Sequence, residues 1–154
     1  ARDMSGAIDH LLGRDDVVGD AVGVVGFCMG GLLSLVIASL EGDRVAAVVP
    51  FYGAPLGEAE PDWSGLNAKV SGHFAENDGF FTPDLVRQLE DELRAKGKEV
   101  ELFVHPGVDH AFFNDIGGRY DATQAAAAWA NVVDWFRTYL TLGGAPSPGS
   151  SAAP

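Results

Sequence analysis

The sequence contains a single cysteine, so no disulfide can form within the chain, and the disulfide frameworks that staple small secreted domains are excluded. Cys28 is therefore either a structural residue or a reactive one. Basic residues are also scarce: 10 lysines and arginines stand against 22 aspartates and glutamates, for a formal net charge of -12. Such a chain repels phosphate backbones and anionic lipid surfaces, and its few basic residues are scattered instead of forming a stripe. Nucleic acid and membrane surfaces are excluded as partners on that ground. Long apolar runs are missing too. The longest, Ala21 to Phe27, is interrupted by glycine and falls far short of the roughly 20 residues of a membrane-spanning helix. The first residues, Ala1-Arg2-Asp3-Met4-Ser5, lack the basic start and apolar stretch of a secretory signal, which makes the cytoplasm the expected location.

What is present suits one soluble globular domain: 154 residues, 47% of them hydrophobic, can bury a core without a metal or disulfide staple. Met4, Ile8, Leu11 and Leu12 recur at spacings of three and four, which predicts an amphipathic helix from Arg2 to Leu12 that ends near Gly13. Ala21 to Phe27 (AVGVVGF) reads as a strand buried on both faces, and Gly30 to Leu40 as a helix of small and apolar residues. Arg44 to Tyr52 is a second buried strand. The stretch from Leu56 to Asn67 has little periodicity, and Pro61 and Gly65 argue against a long helix there. Lys69 to Ala75 is a third strand, followed by a helix that begins at Pro83, buries Leu85, Val86, Leu89 and Leu93, and stops at Gly97. Val100 to His105 is a fourth strand. A last helix runs from about Asp121 to Leu142 with Trp129, Val132, Val133, Phe136 and Leu140 on one side, and residues 143–154 read as a disordered tail beyond a domain of residues 1–142. Strands alternating with helices imply parallel βαβ units with right-handed crossovers, hence an α/β fold, a three-layer sandwich with a mainly parallel sheet. In such sheets chemistry collects in the loops at the carboxyl ends of the strands.

The first of those loops reads Gly26-Phe27-Cys28-Met29-Gly30-Gly31. It has the form of a nucleophile elbow, in which a sharp strand-to-helix turn exposes the nucleophile and requires small residues two before and two after it. Gly26 and Gly30 fill those positions. The amino terminus of the following helix points at Cys28, where its partial positive charge favours thiolate, and the Met29 backbone N–H is aimed at a developing oxyanion. Two plainer readings compete. A lone cysteine is commonly a small buried hydrophobe. With 20 glycines in 154 residues, glycine at both flanking positions has a chance of roughly 2% on composition alone, so coincidence is not negligible until the placement after a strand is counted. A phosphate-binding turn is the other rival, but the spacing of Gly23, Gly26, Gly30 and Gly31 fits neither G-x-G-x-x-G nor the P-loop pattern.

The loops after the third and fourth strands carry Glu76-Asn77-Asp78-Gly79-Phe80-Phe81 and Val108-Asp109-His110-Ala111-Phe112-Phe113. A thiol that attacks an acyl carbon needs a base to take its proton and return it to the leaving group, and His110 suits that role. A carboxylate must fix the imidazole tautomer and stabilise its cation, and Asp78 at the neighbouring strand end can reach it. Glu76 and Asp109 are the rival acids. Asp78-Gly79 could also be an ordinary turn and His110 a loop histidine bonded to backbone. His105, Asp109 and His110 could suggest a metal site, yet they lack any zinc-binding spacing. His73 falls inside a strand and His10 on the first helix, so neither is expected to act as the base. Phe80, Phe81, Phe112 and Phe113 flank the acid and base and could wall an apolar substrate pocket, with core packing as the competing fate for one of each pair.

The segments GFCMGG, ENDGFFTP and HPGVDHAFFND, in that order, resemble the dienelactone hydrolase (carboxymethylenebutenolidase-like) family of α/β-hydrolases from Ala21 to about Leu142. The resemblance implies hydrolysis of small esters or lactones through a thioester acyl-enzyme, with Cys28 attacking, His110 shuttling the proton, Asp78 orienting it, and no cofactor. Members of the family carry further strands before the nucleophile strand, which supply a second oxyanion donor and part of the pocket. The expectation is therefore the carboxyl-terminal portion of such a fold, a fragment or a chain completed by a homo-oligomer or a complementing amino-terminal segment. Asn114 stands where dienelactone-specific relatives tend to place an arginine that grips the substrate carboxylate, which argues against dienelactone itself. Two other functions remain open at this point: an inactive remnant serving as a structural or interaction module, and a redox-responsive thiol protein, the latter weakened by the lack of a resolving cysteine.

Overall fold

The computed structural model describes residues 2–140; the expected tail at 143–154 lies outside them. The elements run α1 (Arg2–Leu12), β1 (Val22–Phe27), α2 (Met29–Glu41), β2 (Val45–Phe51), β3 (Lys69–Ala75), α3 (Pro83–Ala95), β4 (Val100–His105) and α4 (Ala122–Tyr139). The four strands form one sheet in the order β1-β2-β3-β4, and every neighbouring pair is parallel.

Alternation along the strands decides what each face covers. Val48, Val70 and Phe74 point to one side and pack with Leu35 and Ile37 of α2 and with Val86, Leu89 and Leu93 of α3; Ile8 of α1 joins the same cluster. Ala47, Val49, Phe51 and Ala75 point to the other side, against Ala128, Val132 and Trp135 of α4. The result is three layers, helices on both faces of a parallel sheet, as the sequence pattern predicts. Each wholly buried side chain such as Leu93 contributes about 1.5–3 kcal/mol relative to exposure.

Local chemistry sets the helix starts. Thr82 caps α3 by accepting the Leu85 N–H at 3.4 Å, and Pro83 follows in the first turn, where its missing donor costs nothing. Asp121 caps α4 by accepting the Gln124 N–H at 2.9 Å.

Two expectations are corrected. β1 is not buried on both faces: it is the edge of the sheet, with Val25 and Phe27 partly exposed, and β2 and β3 take the central positions. α4 seats a different stripe, Ala125, Ala128, Val132 and Trp135, because the small alanines let the helix approach the sheet and turn Trp129 outward. The stretch from Leu56 to Asn67 forms no long helix, as expected; it holds two short 3-10 turns, Gly57–Ala59 and Trp63–Gly65, and the second anchors Trp63 in the core.

Because all strands run the same way, their carboxyl ends share one edge. The register levels them there: Phe27 pairs with Phe51, Phe51 with His73, and Ala75 with His105. The loops that carry Cys28, Asp78 and His110 thus all leave the same end of the sheet, those of Asp78 and His110 from adjacent strands and that of Cys28 from β1, on the far side of β2. No helix among the described residues is long and apolar enough to cross a membrane.

Candidate active site

Cys28 is the residue between β1 and α2, and it holds φ 54° and ψ -120°, a conformation that costs an L-residue about 1–3 kcal/mol. The surroundings fix it. Its N–H donates to the Phe51 carbonyl at 3.0 Å, and its own carbonyl accepts the Gly31 N–H at 2.9 Å. The backbone is packed so closely here that a Cβ at Gly26 would overlap the Gly30 carbonyl, and a Cβ at Gly53 would overlap the carbonyl of Cys28 itself. The expected need for a small residue at Gly30 is not met, since an added Cβ there touches nothing. The side chain of Cys28 is exposed. Met29 is the first residue of α2, where N–H groups have no acceptor further back in the helix.

Asp78 is buried, and both of its oxygens are occupied. Oδ2 accepts from Nδ1 of His110 at 2.7 Å, while Oδ1 accepts the N–H of Phe80 at 2.8 Å and of Phe81 at 3.2 Å. A carboxylate is an acceptor only, so the contact assigns the proton of His110 to Nδ1 and leaves Nε2 as the free acceptor. Nε2 has no partner among the described residues. The imidazole lies against Tyr52, with ring centroids 5.0 Å apart at 60°, and against Phe80, at 5.7 Å and 68°. The rival acids lie elsewhere: Glu76 accepts the Gly107 N–H at 2.8 Å, and Asp109 is exposed.

Two cavities meet at the cysteine. One of about 410 Å³ is lined by Cys28, Met29, Leu32, Phe80, Phe81 and His110. The other, about 420 Å³, is lined by Phe27, Cys28, Tyr52, Ala111, Phe113, Asn114 and Asp115. Phe80 and Phe81 line the first cavity and Phe113 and Asn114 the second, and the Asn114 side chain also accepts the Ile116 N–H at 3.2 Å. Phe112, expected in the pocket wall, lines neither cavity: it is fully buried against Phe51, Tyr52 and His105. The alternation of the Phe112-Phe113 pair sends one ring to the core and the other to the pocket.

Tyr52 and Ala111 are residues that sequence reasoning missed. Cys28, Tyr52 and Ala111, at φ 54°, 35° and 67°, are the non-glycine residues with positive φ among the described residues, and all three line the same cavity. Such strain persists only where the surroundings impose it. No sequence signal announces it, because tyrosine and alanine are ordinary strand and loop residues. Burial, together with the nearby Cys28 sulfur, pushes the Tyr52 phenol up to about 12, so its hydroxyl stays protonated.

The other histidines are structural. His73 Nε2 and the Ser71 hydroxyl both donate to Asn131 Oδ1, at 3.1 and 2.7 Å, so Nδ1 of His73 is left to accept from Nε2 of His105 at 3.0 Å. Gln124 Oε1 lies 2.8 Å from Nδ1 of His105, at the end of the chain. Burial, then the proximity of His105, pushes His73 down to about 3. His105 is committed to this network under α4 and is not grouped with Asp109 and His110 as a metal site would require.

A family model described as the dienelactone hydrolase family matches residues 1–140. "Protein usf" of Aquifex pyrophilus is 37% identical over 121 residues, 78% of this chain and 52% of that protein. A protein of Aquifex aeolicus (strain VF5) named "Putative carboxymethylenebutenolidase" is 37% identical over 123 residues, again 52% of its length and 77% of this chain. Among solved structures, the "Putative Dienelactone Hydrolase from Klebsiella pneumoniae subsp. pneumoniae MGH 78578" superimposes with a TM-score of 0.79 at 28% identity, covering 89% of this chain and 60% of that one. The chain spans about half the length of the curated relatives it matches.

Proposed function

The chain belongs to the dienelactone hydrolase family, and from that membership we propose that it hydrolyses small esters or lactones through a Cys28-His110-Asp78 triad. One observation carries the reading. Cys28 and His110 line a single cavity, and the far nitrogen of that same imidazole is hydrogen-bonded to buried Asp78.

In this mechanism the Cys28 sulfur attacks the ester carbonyl carbon as its proton passes to Nε2 of His110. The carbonyl oxygen becomes an oxyanion and takes the Met29 N–H. The intermediate collapses, the C–O bond breaks, and His110 returns the proton to the departing alkoxide, which in a lactone remains tethered to the acyl group. Water then attacks the thioester while His110 removes its proton, and the carboxylic acid and the thiol are released. Asp78 keeps the imidazole in the required tautomer and offsets its charge when it is protonated. Phe80 and Phe81 wall the apolar side of the cavity. The substrate is a small ester or lactone, and no cofactor takes part.

p-Nitrophenyl acetate tests this directly. Cys28→Ala and His110→Ala each reduce turnover to near the uncatalysed rate under the proposal; equal rates in the parent and both variants reject it.

A further inference from the structure

Beside the cavity of Tyr52 and Asn114 lies a second hollow of about 320 Å³, and the two share Phe113 and Asp115. Its lining is aromatic and acidic: Phe113, Tyr120 and Trp129 with Asp115, together with Ala125 and Ala126 of α4. Phe113 and Trp129 are 6.0 Å apart between centroids, inclined at 48°. Tyr120 and Trp129 remain 44% and 48% exposed, so both rings present area that no core residue covers. The Asp115 carboxylate has no ion-pair or hydrogen-bond partner among the described residues. The loop between them is tied down by Asn114 N–H to Ala111 O at 3.0 Å and Asp121 N–H to Phe112 O at 3.0 Å.

Aromatic faces carry negative potential and attract cations, most effectively those that lose little hydration on leaving water. A primary ammonium is strongly hydrated; a quaternary one spreads its charge over methyl groups and suits an aromatic pocket with one carboxylate. No lysine or arginine lines either cavity, Arg119 included, and the net charge of -12 draws cations toward the molecule. The direction follows from the proposed chemistry, on which this inference rests. The leaving group must take its proton from His110, which lines the Met29 side, so the acyl group extends the other way, past Tyr52 toward Asp115.

We propose that the Phe113-Tyr120-Trp129-Asp115 hollow is a subsite for an alkylated ammonium group, and that the preferred substrates are esters whose acyl chain ends in a trimethylammonium. Two measurements test it. The first compares p-nitrophenyl esters of ω-trimethylammonio acids, with two to six methylenes as spacer, against isosteres in which a tert-butyl group replaces the cation, so that the leaving group is constant. At the best spacer the cationic ester has a kcat/KM at least about ten-fold higher, and Trp129→Leu and Asp115→Asn each lower that ratio several-fold. The second titrates Cys28→Ala protein, by calorimetry, with choline and with its neutral isostere 3,3-dimethylbutan-1-ol; choline binds about ten-fold tighter, and Trp129→Leu abolishes the difference. A ratio near or below one at every spacer, or equal binding of the two alcohols, overturns the subsite. Because the titration needs no turnover, choline selectivity stands or falls separately from the triad: ester hydrolysis lost in Cys28→Ala with no choline preference sinks only the subsite, and choline preference with hydrolysis undiminished in Cys28→Ala sinks only the mechanism.

Discussion

His110 donates from Nδ1 to Oδ2 of Asp78 over 2.7 Å, and the second oxygen of that carboxylate is held by the N–H groups of Phe80 and Phe81. The pair joins the loops after β3 and β4 and fixes which imidazole nitrogen is free. Asp78→Asn keeps an oxygen for the two backbone donors but can turn an amide N–H toward Nδ1, which favours the wrong tautomer. It is expected to lower kcat/KM for p-nitrophenyl acetate by about 10²–10⁴ while the far-ultraviolet dichroism is unchanged. Activity within three-fold of the parent, or a loss that tracks unfolding, contradicts the role of this contact.

The close packing behind the elbow makes a second prediction about stability. Gly53→Ala drives a methyl group into the Cys28 carbonyl and is expected to cost more than about 2 kcal/mol in urea denaturation, or to prevent folding. Gly30→Ala meets open space within α2 and is expected to be neutral or to add up to about 1 kcal/mol, since alanine is the better helix former. Equal effects at the two positions are incompatible with the backbone approach described.

Much of this site was legible in the sequence because parallel strands force their loops to one edge. Once Val22–Phe27, Lys69–Ala75 and Val100–His105 read as parallel strands, Cys28, Asp78 and His110 had to fall at the same end of the sheet, and the strand order then decides how near they lie. Periodicity was a poorer guide where a residue's environment comes from outside its own element. α4 buries Ala125 and Ala128 while Trp129 faces out, because hydrophobicity says little about which small residues allow close approach. Phe112 and Phe113 are chemically identical and separate only through the backbone of their loop. The strained backbone at Tyr52 and Ala111 left no trace in composition, since it arises from packing against the neighbouring strands and not from the residues themselves. The Ser71-Asn131-His73-His105-Gln124 chain was equally hidden, joining residues up to 60 positions apart.

That buried chain predicts an acid limit on stability. The folded state holds His73 neutral, with a pKa pushed down to about 3 by burial and by His105, against an ordinary value of 6.5. A depressed histidine binds fewer protons folded than unfolded, so its contribution is fully present above 6.5 and is lost as pH falls from there toward 3. The loss by pH 4.5 is on the order of 2 kcal/mol. Urea midpoints at pH 7 and pH 4.5, compared between the parent and His73→Gln, isolate it from the carboxylates common to both. The variant should show the smaller acid destabilisation; the same pH dependence in both proteins rejects the assignment.

The most direct test of the proposed chemistry is to stop the reaction with acid a few milliseconds after mixing with a p-nitrophenyl ester and to locate the acyl group by mass spectrometry of the digested protein. A thioester on the peptide that contains Cys28, absent in Cys28→Ala and slow to form in His110→Ala, is the expected result. Acylation at another residue, or steady hydrolysis by Cys28→Ala at the parent rate with no adduct, would contradict it.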